Sequence, residues 1–463
     1  MTLPDSDDTI VAISTPPGYG GIGVIRISGK QAFTIANTII DTTVNIIDVK
    51  SHTVHHGYVR GTQSGSITDE VLIAVFRAPN SYTGEDVIEI SAHGNPQILK
   101  QVVGLAIDSG ARQAAAGEFT MRAFLSGRID LVQAESVADL IAAEGAAFQQ
   151  VALYQLSGRL SAYISSIRMQ LLDISALFEA YTDFPDEEIP PQQKGELLTK
   201  LDDVTASLSR LASSYRRGEI IRAGVQIPIV GPPNAGKSSL FNAILAEERA
   251  IVTEIPGTTR DTIAEKIEIE GLAVRFVDTA GLREASDQIE AAGVERSRRE
   301  IAAANLVIAI FDATDRPVET IQSSLFDLLG KYFIVVLNKI DLVSDSDLAN
   351  LDYELDDCRP ILLSAKTLVG VDRLVARIAS VIRESMPVSG ADANVLTNKR
   401  HFVAVQSAVR SLTEARVKLE QGDSFELMAF DLRQATNGLE EILGKITNDD
   451  LLAEIFSRFC IGK

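Results

Sequence analysis

The stretch Gly231-Pro232-Pro233-Asn234-Ala235-Gly236-Lys237-Ser238 has the spacing of a phosphate-binding loop. The apolar run Val225 to Val230 comes just before it and predicts a strand, and a helical pattern comes just after it. Glycines in such a loop let backbone N–H groups approach phosphate oxygens, and the start of the helix adds positive potential. This strand–loop–helix order predicts a nucleoside triphosphate site on a doubly wound, mostly parallel sheet.

The side chains of this loop have separate predicted roles. Lys237 reaches the terminal phosphates, and the Ser238 hydroxyl ligates magnesium. Lys237 and Asn234 face the phosphates, so we predict that both act in catalysis. Nucleotide contacts are predicted for six consecutive residues: Asn234, Ala235, Gly236, Lys237, Ser238 and Ser239.

A second motif supports the same site. Asp278-Thr279-Ala280-Gly281 follows the predicted strand Val274 to Val277. We expect its carboxylate near the magnesium ion and the N–H of its glycine near the γ-phosphate. Both this motif and the first stand at the carboxyl end of a strand, which is the edge where doubly wound sheets bind ligands.

Two later motifs predict which base is bound. Asn338-Lys339-Ile340-Asp341 follows the predicted strand Phe333 to Leu337, and Ser364-Ala365-Lys366 follows a further apolar run. The Asp341 carboxylate can accept hydrogen bonds from guanine N1–H and the exocyclic amine, a donor edge that adenine lacks. The backbone of the second motif suits the guanine carbonyl. Together the motifs predict a hydrolase that uses GTP rather than ATP.

The residue that positions the attacking water differs from that of Ras-like enzymes. Leu282 follows Gly281 directly, where those enzymes have a glutamine that orients the water. Another group must therefore do this, and Glu284 and Glu290 are the candidates downstream.

A monovalent cation is the expected source of additional positive charge. The stretch Pro256 to Asp261 supplies a switch threonine, Thr259, as a magnesium ligand. The side-chain oxygen of Asn234 and loop carbonyls can hold a cation in place of an arginine finger. The alternative is that Arg260 or Arg283 acts as such a finger.

The pattern of apolar residues and the residue composition change along the chain. Alternating apolar runs punctuated by Gly, Pro and Asn predict a strand-rich α/β domain over residues 1–118. Strands alternating with helices predict the nucleotide-binding domain over 219–383. Helical patterns fill 119–218 and 384–463, so we expect one helical domain with the nucleotide-binding domain inserted into it.

Individual elements are predicted within these domains. Strands are expected at Thr9–Ser14, Val24–Ser28, Val71–Arg77 and Asp86–Ala92. Apolar residues at spacings of three and four predict one long amphipathic helix from Leu153 to Tyr181. A second helix is expected from about Lys194 to Arg217, and Asn448 is the expected cap of the final helix.

Composition narrows the classes of function. The 463 residues carry a formal net charge of −20. Proteins that bind nucleic acid through the electrostatic field of their whole surface are usually basic. RNA binding would therefore need a local patch or a partner protein. The two cysteines, Cys358 and Cys460, are far apart, which indicates a reducing compartment. With no long apolar run and no signal peptide pattern, we expect a cytoplasmic protein without a membrane span.

One glycine-rich run is a false match. Gly18-Tyr19-Gly20-Gly21-Ile22-Gly23 fits the dinucleotide-binding fingerprint, but Val24 to Ser28 alternates like a strand where that fold needs a helix. We therefore expect no nicotinamide or flavin site there. No metal-binding spacing on a helix face occurs among the five histidines, His52, His55, His56, His93 and His401.

Motifs outside the nucleotide-binding domain carry a family resemblance. They are Thr15 to Gly23 with Arg26-Ile27-Ser28-Gly29, Pro79 to Asp86, Gly117-Glu118-Phe119-Thr120, Asp183 to Glu188 and Phe459-Cys460-Ile461-Gly462-Lys463. With them the chain resembles, over essentially its whole length, the bacterial tRNA modification GTPases called MnmE or TrmE. The resemblance implies an N-terminal folate-binding and dimerising domain, a discontinuous helical domain and an inserted Ras-like G domain.

The resemblance also implies an activity and partners. Such proteins hydrolyse GTP while the 5-position of the wobble uridine in tRNA receives an aminomethyl or carboxymethylaminomethyl group. A reduced folate, 5-formyl- or methylene-tetrahydrofolate, supplies the one-carbon unit. The implied assembly is a homodimer with potassium-dependent pairing of G domains, joined to the flavoprotein MnmG (GidA) in a heterotetramer or larger complex.

Site residues carry over where the motifs match. Folate contacts carry over to Arg26, Glu89, Arg128 and Lys463, since a carboxylate suits the donor edge of the pterin and cations suit the glutamate tail. Potassium carries over to Asn234 and the carbonyls of Thr253, Ile255 and Thr258. Magnesium carries over to Ser238 and Thr259, and the positioning of water to Glu290. Arg128 is often a lysine in the family, which keeps the charge but changes its geometry.

Two other classes of GTPase are open alternatives. A ribosome-assembly or signalling switch would normally carry a basic RNA-binding appendage, and the sequence shows none. A membrane-remodelling GTPase with a helical stalk would fit the helical flanks but not the acidic composition. Neither alternative predicts folate binding, which therefore separates them from the family that the chain resembles.

Overall fold

The computed structural model describes residues 8–61, 65–183, 191–247, 266–278, 301, 304–315, 321, 332–354, 359–385, 394–422 and 424–463. The chain divides into two compact units. The first comprises Met1–Ala142, Ala152–Ala212 and Val403–Lys463, and the second comprises Ala143–Val151 and Ser213–Phe402. The finer division into three domains, with the bounds given above, stays a prediction.

A seven-stranded sheet forms the N-terminal part of the first unit. Its strands are β1 (Ile10–Ile13), β2 (Gly20–Ser28), β3 (Ile40–Asp41), β4 (Thr53–Arg60), β5 (Ile67–Phe76), β6 (Val87–Gly94) and β7 (Arg112–Gln113), in the order β3-β4-β5-β6-β2-β1-β7. Neighbours pair antiparallel, except that β1 and β7 pair parallel. The four strands predicted in this region are confirmed as β1, β2, β5 and β6.

Side chains of β2 and β6 alternate between an apolar face of the sheet and a face that carries the polar pair Arg26 and Glu89. Every second residue lies in a core shared with α1 (Ala32–Ile39) and α2 (Pro96–Asp108): Ile25, Ile27, Ile88 and Ile90. Side chains of a strand alternate between the two faces of its sheet. Arg26 and Glu89 therefore lie on the opposite face, and the strand register places them directly across from each other.

The other helices with described bounds are distributed over both units. They are α3 (Glu118–Leu125), α4 (Leu131–Ala142), α5 (Ala146–Leu156), α6 (Arg159–Asp183), α7 (Pro191–Ser213), α8 (Tyr215–Ala223), α9 (Lys237–Glu247), α10 (Asp345–Glu354), α11 (Val371–Ser385), α12 (Lys399–Gln421), α13 (Phe425–Leu443) and α14 (Asp449–Ser457). Within the described chain, no helix combines the length and apolar content that crossing a bilayer requires.

Two helix predictions were wrong about continuity. The helix expected from Leu153 to Tyr181 is interrupted between α5 and α6, because Gly158 has a φ of +83°, which an α-helix does not accommodate. The second predicted helix is likewise divided into α7 and α8. The expected cap of α14 is confirmed, since Asn448 Oδ1 accepts a hydrogen bond from the N–H of Leu451 at 2.7 Å.

A six-stranded sheet forms the centre of the second unit. Its strands are β8 (Val225–Val230), β9 (Lys266–Ile269), β10 (Leu272–Asp278), β11 (Leu306–Asp312), β12 (Tyr332–Asn338) and β13 (Ile361–Leu362), in the order β13-β12-β11-β8-β10-β9. All neighbours pair parallel except β9 and β10. Because β8 lies between β10 and β11, the strand order reverses at its carboxyl end, where doubly wound sheets bind ligands.

Both faces of this second sheet are buried. Alternate residues of β11 enter two different cores: Leu306, Ile308 and Ile310 on one face, and Val307, Ala309 and Phe311 on the other. Strands that are apolar on both sides are typical of parallel sheets with helices on each face. The predicted fold class is confirmed: the chain is a multidomain α/β plus α protein with a doubly wound, P-loop-type sheet.

Candidate functional site

The phosphate-binding loop joins β8 to α9, as predicted. Gly231 has a φ of +154° and Gly236 a φ of +96°, a region that favours glycine. A Cβ at Gly231 would collide with the carbonyl of Ile310, and one at Gly236 would collide with the side-chain amide of Asn338. Backbone conformation and close packing therefore both require glycine at these two positions.

The polar side chains of the loop lie at its surface. Lys237 Nζ donates hydrogen bonds to the carbonyls of Gly231 and Pro232, both at 2.9 Å. This folds the ammonium back over the loop, where a phosphate could replace the carbonyls as its acceptor. Asn234 is exposed with a φ of +66°, and Ser238 and Ser239 are exposed in the first turn of α9.

Asn338 links two parts of the predicted nucleotide site. Its side chain is buried, with the residue 2% exposed, at the end of β12. Asn338 Nδ2 donates to the carbonyl of Ala235 at 2.8 Å, and Asn338 Oδ1 accepts from the N–H of Ala365 at 3.0 Å. One amide thereby connects the phosphate-binding loop with the loop predicted to contact guanine.

Asp341 lies next to this link, in a short 3₁₀ turn formed by Ile340–Leu342. Ser364 Oγ donates a hydrogen bond to Asp341 Oδ1 at 2.6 Å and accepts one from the N–H of Thr367 at 3.2 Å. Ser364 is fully buried, whereas Asp341 and Lys366 are exposed. The buried hydroxyl therefore orients an exposed carboxylate, as recognition of a guanine edge requires.

Asp312 was not predicted as part of this site. It ends β11 and accepts a hydrogen bond from Lys339 Nζ at 2.5 Å, and Thr314 also donates to it. Burial raises the pKa of Asp312, but the hydrogen bonds from Lys339 and Thr314 outweigh burial and hold the pKa below its usual value. Asp312 stands opposite Asn338 in the register of β11 and β12, so sheet pairing brings it to Lys339.

Part of the predicted site lies outside the described residues. This holds for Thr253, Ile255, Thr258, Thr259, Thr279, Ala280, Gly281 and Glu290, and for the alternatives Arg260, Arg283 and Glu284. Asp278 is the last residue of β10, and its backbone pairs with Ile229 of β8 beside the start of the loop. For cations the described residues offer the exposed oxygens of Ser238 and Asn234, which fit the preference of magnesium and potassium for oxygen ligands.

A second candidate site lies on the first sheet, around Arg26. Arg26 forms an ion pair with Glu89, with Nε 2.8 Å and Nη2 2.7 Å from Glu89 Oε1. The guanidinium also lies over two aromatic rings, 4.9 Å from the centroid of Tyr82 and 5.5 Å from that of Phe119. Arg26 Nη1 is buried and has no hydrogen-bond partner among the residues that the structure describes. A donor of this kind fits an acceptor group of a bound ligand.

The C-terminal residues lie against the same sheet. Ile461 forms an antiparallel bridge with Ala116. Gly462 approaches the carbonyl of Ile13 so closely that a Cβ would collide with it, and its φ is +96°. These contacts hold the residue that follows, Lys463, beside the N-terminal sheet.

Lys463 is electrostatically coupled to the Arg26–Glu89 pair. Burial lowers the pKa of the half-buried Lys463 ammonium, the positive charge of Arg26 lowers it further, and the Glu89 carboxylate opposes both. The structure therefore brings together three of the four predicted folate residues. Arg128, the fourth, is exposed just beyond α3, and in the described chain its side chain forms no hydrogen bond or ion pair with the other three.

A buried ion network supports the segments around this site, and it was not predicted. Glu118, on α3, accepts hydrogen bonds from Arg112 Nη2 at 2.5 Å and from Arg122 Nη2 at 3.0 Å. Arg122 also donates to Glu85 at 3.1 Å and pairs with Asp8. Burial raises the pKa of Asp8, but hydrogen bonds from Arg112 and Arg122 outweigh it and lower that pKa below its usual value.

The structure shows the settings of the glycine-rich run and of two histidines. β2 begins at Gly20, inside the glycine-rich run, and includes the strand that was predicted from Val24 to Ser28, where a dinucleotide site would need a helix. His93 Nδ1 is 2.7 Å from Asp69 Oδ1, and His56 Nε2 is 2.6 Å from Glu70 Oε1. Over the described ranges, no group of three or more His, Cys, Asp or Glu residues could hold a metal ion.

Comparison with known proteins gives consistent relatives. The family model described as MnmE helical domain matches residues 131–460, and the one described as GTP-binding protein TrmE N-terminus matches residues 9–128. The tRNA modification GTPase MnmE of Cytophaga hutchinsonii is 42% identical over 100% of this chain and 99% of its own length. That of Moorella thermoacetica is 41% identical over 99% of this chain and 100% of its own.

A third relative, the tRNA modification GTPase MnmE of a Nostoc species, is 40% identical over 98% of this chain and 99% of its own length. Among solved structures, Aquifex aeolicus Era is 28% identical over 40% of this chain and 66% of its own, with a TM-score of only 0.27, which supports no structural conclusion. The matches to family models and to full-length relatives identify the family without this structural comparison. The chain belongs to the MnmE (TrmE) family of tRNA modification GTPases.

Proposed function

We propose that this tRNA modification GTPase hydrolyses GTP at the loop of residues 231–239 and acts on the 5-position of the wobble uridine. The observation that carries the GTPase part is the Asn338 side chain, which joins Ala235 of the phosphate-binding loop to Ala365 of the guanine loop. A buried amide in this place fixes the separation between the groups that hold the phosphates and those that hold the base. Asp341 then selects guanine at the same edge of the sheet.

The phosphates are bound by the loop between β8 and α9 and by the first residues of α9. Lys237 exchanges the carbonyls of Gly231 and Pro232 for phosphate oxygens, and the N-terminus of α9 adds backbone N–H groups. Ser238 and Thr259 hold magnesium, which neutralises phosphate charge when it is bound. Asp278 ends β10, where its backbone pairs with Ile229 just before the loop, and its carboxylate would help to hold the same ion.

The cation requirement follows from Leu282 and Asn234. Since no glutamine follows Gly281, Glu290 orients the attacking water. The Asn234 oxygen, with the carbonyls of Thr253, Ile255 and Thr258, holds potassium, which supplies positive charge beside the phosphates. Binding of potassium by these residues would be coupled to pairing of the G domains of a homodimer.

A reduced folate, 5-formyl- or methylene-tetrahydrofolate, is the proposed ligand of the second site. The fit rests on the buried, unpartnered Nη1 of Arg26 beside the Glu89 carboxylate and the Lys463 ammonium. Glu89 accepts from the donor edge of the pterin, and the cations, including Arg128, attract the carboxylates of the glutamate tail. When bound, the folate supplies the one-carbon unit that is added to the uridine.

The proposed partners are those of the family. The homodimer acts in the cytoplasm with the flavoprotein MnmG in a heterotetramer or larger complex, and tRNA is the substrate. The protein carries no nicotinamide or flavin site of its own in this proposal, so a partner must supply the redox chemistry.

The test is a paired measurement on the purified full-length protein. We expect potassium-stimulated GTP hydrolysis together with stoichiometric binding of a reduced folate, measured by calorimetry. A switch GTPase or a membrane-remodelling GTPase would hydrolyse GTP without binding folate. Absence of folate binding would therefore overturn the proposed role of Arg26, Glu89 and Lys463, while absence of GTP hydrolysis would overturn the nucleotide part.

A further inference from the structure

A pocket with a volume of about 450 Å³ lies between α6 and α13, two helices of the first unit. The helices run antiparallel, since Arg168 pairs with Glu440 at one end and the rings of Phe178 and Phe425 lie 6.3 Å apart towards the other. None of the roles predicted above uses this pocket, and it lies within one compact unit. Six of its eight lining residues carry polar side chains, and four of the eight are exposed, so the pocket opens to solvent.

One buried hydroxyl in the lining has no partner within the described part of the chain. Ser175 of α6 is 8% exposed, and its Oγ forms no hydrogen bond with any described residue. Helical serines of the described chain differ in this respect. Ser136 Oγ donates to the carbonyl of Val132 at 2.7 Å, and Ser207 Oγ to that of Asp203 at 2.9 Å, whereas Ser161 Oγ, which lies outside the lining, is buried without a partner like that of Ser175. Buried polar groups are nearly always satisfied, so a ligand group is the natural partner for Ser175.

The charges in the lining nearly cancel. Glu440 is already paired with Arg168, whose Nε lies 2.6 Å from Glu440 Oε1. Glu179 and Arg433 bring one negative and one positive charge to the pocket, and both are exposed. A lining without net charge does not favour a phosphate or a polyamine. It favours a neutral molecule that offers both hydrogen-bond donors and acceptors.

We propose that this pocket binds an unpaired nucleobase. A nucleobase is uncharged, carries donors and acceptors side by side on its edges, and has flat faces that can lie against small apolar side chains. Asn437 offers a donor and an acceptor on one amide, Glu179 accepts, and Arg433 donates. Ala176 leaves the space for the ring. The volume lies within the range of small-molecule sites.

The inference rests on the proposed function and deepens it. Bases in RNA loops are unstacked and are the usual targets of sequence-specific contacts. A base pocket lets a chain with a net charge of −20 hold tRNA without a strongly basic surface. A free nucleoside has the same chemistry and is the other source of such a ligand, so the experiment must separate the two.

The experiment uses the full-length protein and matched pairs of substitutions on α6. Ala176→Leu fills the pocket, and Ala162→Leu adds the same side chain at an exposed position of the same helix outside the lining. Ser175→Ala removes the buried hydroxyl, and Ser161→Ala removes another buried, unpartnered hydroxyl that lies outside the lining. Binding is measured for an RNA hairpin with an unpaired loop, for a fully paired RNA duplex and for free nucleosides.

We expect Ala176→Leu to weaken binding of the hairpin by about tenfold or more, with a smaller loss for Ser175→Ala. Ala162→Leu and Ser161→Ala should leave it unchanged, and all four variants should hydrolyse GTP like the unmodified protein. If the unmodified protein binds free nucleosides and Ala176→Leu abolishes that binding, the pocket is supported and its ligand is a free nucleoside. Equal affinity in Ala176→Leu and Ala162→Leu, or no binding of hairpin or nucleoside by the unmodified protein, would overturn it. Neither of these results would change the rate of GTP hydrolysis, and measuring that rate tests the proposed function separately.

Discussion

Ser364 Oγ donates a hydrogen bond to Asp341 Oδ1 at 2.6 Å, so a fully buried hydroxyl orients the carboxylate that is expected to select guanine. The two motifs that were predicted separately from the sequence thus form one structural unit. Asn338 attaches that unit to the phosphate-binding loop through its hydrogen bond to Ala235. Two side chains, Ser364 and Asn338, consequently link the base-selecting carboxylate to the phosphate-binding loop.

Replacing the guanine-selecting carboxylate should change the preferred nucleotide. In Asp341→Asn the amide N–H₂ meets the donor edge of guanine, so GTP affinity should fall by about tenfold or more while xanthosine triphosphate gains affinity. Competition binding measures both. Ser364→Ala is the control, because it keeps the carboxylate and should weaken GTP binding less without changing the preferred base. Unchanged preference for GTP in Asp341→Asn would contradict the assignment.

The cation should determine the rate of hydrolysis. A fixed potassium ion replaces an arginine finger, whose contribution is on the order of 10³–10⁵ in rate, so turnover should rise strongly in potassium over sodium. Asn234→Ala should remove this dependence and leave GTP binding largely intact, because Lys237 and the loop amides still hold the phosphates. Equal turnover of the unmodified protein in sodium and potassium would refute the idea. Cation dependence that persists in Asn234→Ala but disappears on substitution of Arg260 or Arg283 would favour an arginine finger.

Folate binding should depend on Glu89 and be separable from GTP hydrolysis. Glu89→Ala removes both the acceptor for the pterin and the ion-pair partner of Arg26, so folate affinity measured by calorimetry should fall. Potassium-stimulated GTP hydrolysis should survive in the same variant. Glu89→Gln keeps the shape and should retain part of the affinity. Full folate affinity in Glu89→Ala would count against the site, and loss of both activities would indicate misfolding.

The pH dependence of folate binding should report on Lys463. Burial and the charge of Arg26 lower the pKa of Lys463 below its usual value of 10.5. Since the neutral amine cannot pair with a ligand carboxylate, folate affinity should decrease as the pH rises through this lowered pKa. Lys463→Arg stays charged over that interval and should move the decrease to higher pH. Affinity that is equally flat with pH in both proteins would show that Lys463 does not meet the ligand charge.

The ion network around α3 should be important for stability. The side chain of Glu118 is 0% exposed and accepts hydrogen bonds from Arg112 and Arg122. Glu118→Gln removes this buried negative charge while Asp8 and Glu85 still pair with Arg122, so the free energy of unfolding should fall by roughly 1.5–3 kcal/mol. Denaturant unfolding measures the loss. The control is Glu454→Gln at the exposed pair with Arg458, where the change should stay below about 1 kcal/mol. Similar costs in the two variants would mean that burial does not strengthen this network.

The sequence predicted those features that depend on residue order over short distances. The loop at 231–238, the strand before it and the cap at Asn448 are all encoded within a few neighbouring residues. The break at Gly158 was missed because the apolar spacing continues through it, whereas its left-handed backbone is visible only in the structure. Periodicity therefore predicted helical content correctly and helix continuity wrongly.

Contacts between distant segments could not be predicted in this way. Asp312 meets Lys339 only because β11 and β12 pair in one register, and no local pattern marks a strand-ending aspartate as a partner for a lysine. Glu118 looked like one residue of a family motif, and its burial between two arginines depends on how α3 packs. The folate residues were obtained from the resemblance alone, and three of them prove to be neighbours.

The position of Lys463 in the sequence affects when the Arg26 site can form during synthesis. Arg26 and Glu89 leave the ribosome early, but the cation that accompanies them is translated hundreds of residues later, after the whole nucleotide-binding part. At ordinary rates of synthesis this delay is on the order of half a minute. The N-terminal sheet can therefore fold long before its site is complete, and a chain released prematurely would have a GTP site without a finished Arg26 site. Any ligand site that needs Arg26, Glu89 and Lys463 together is thus complete only after translation has reached residue 463.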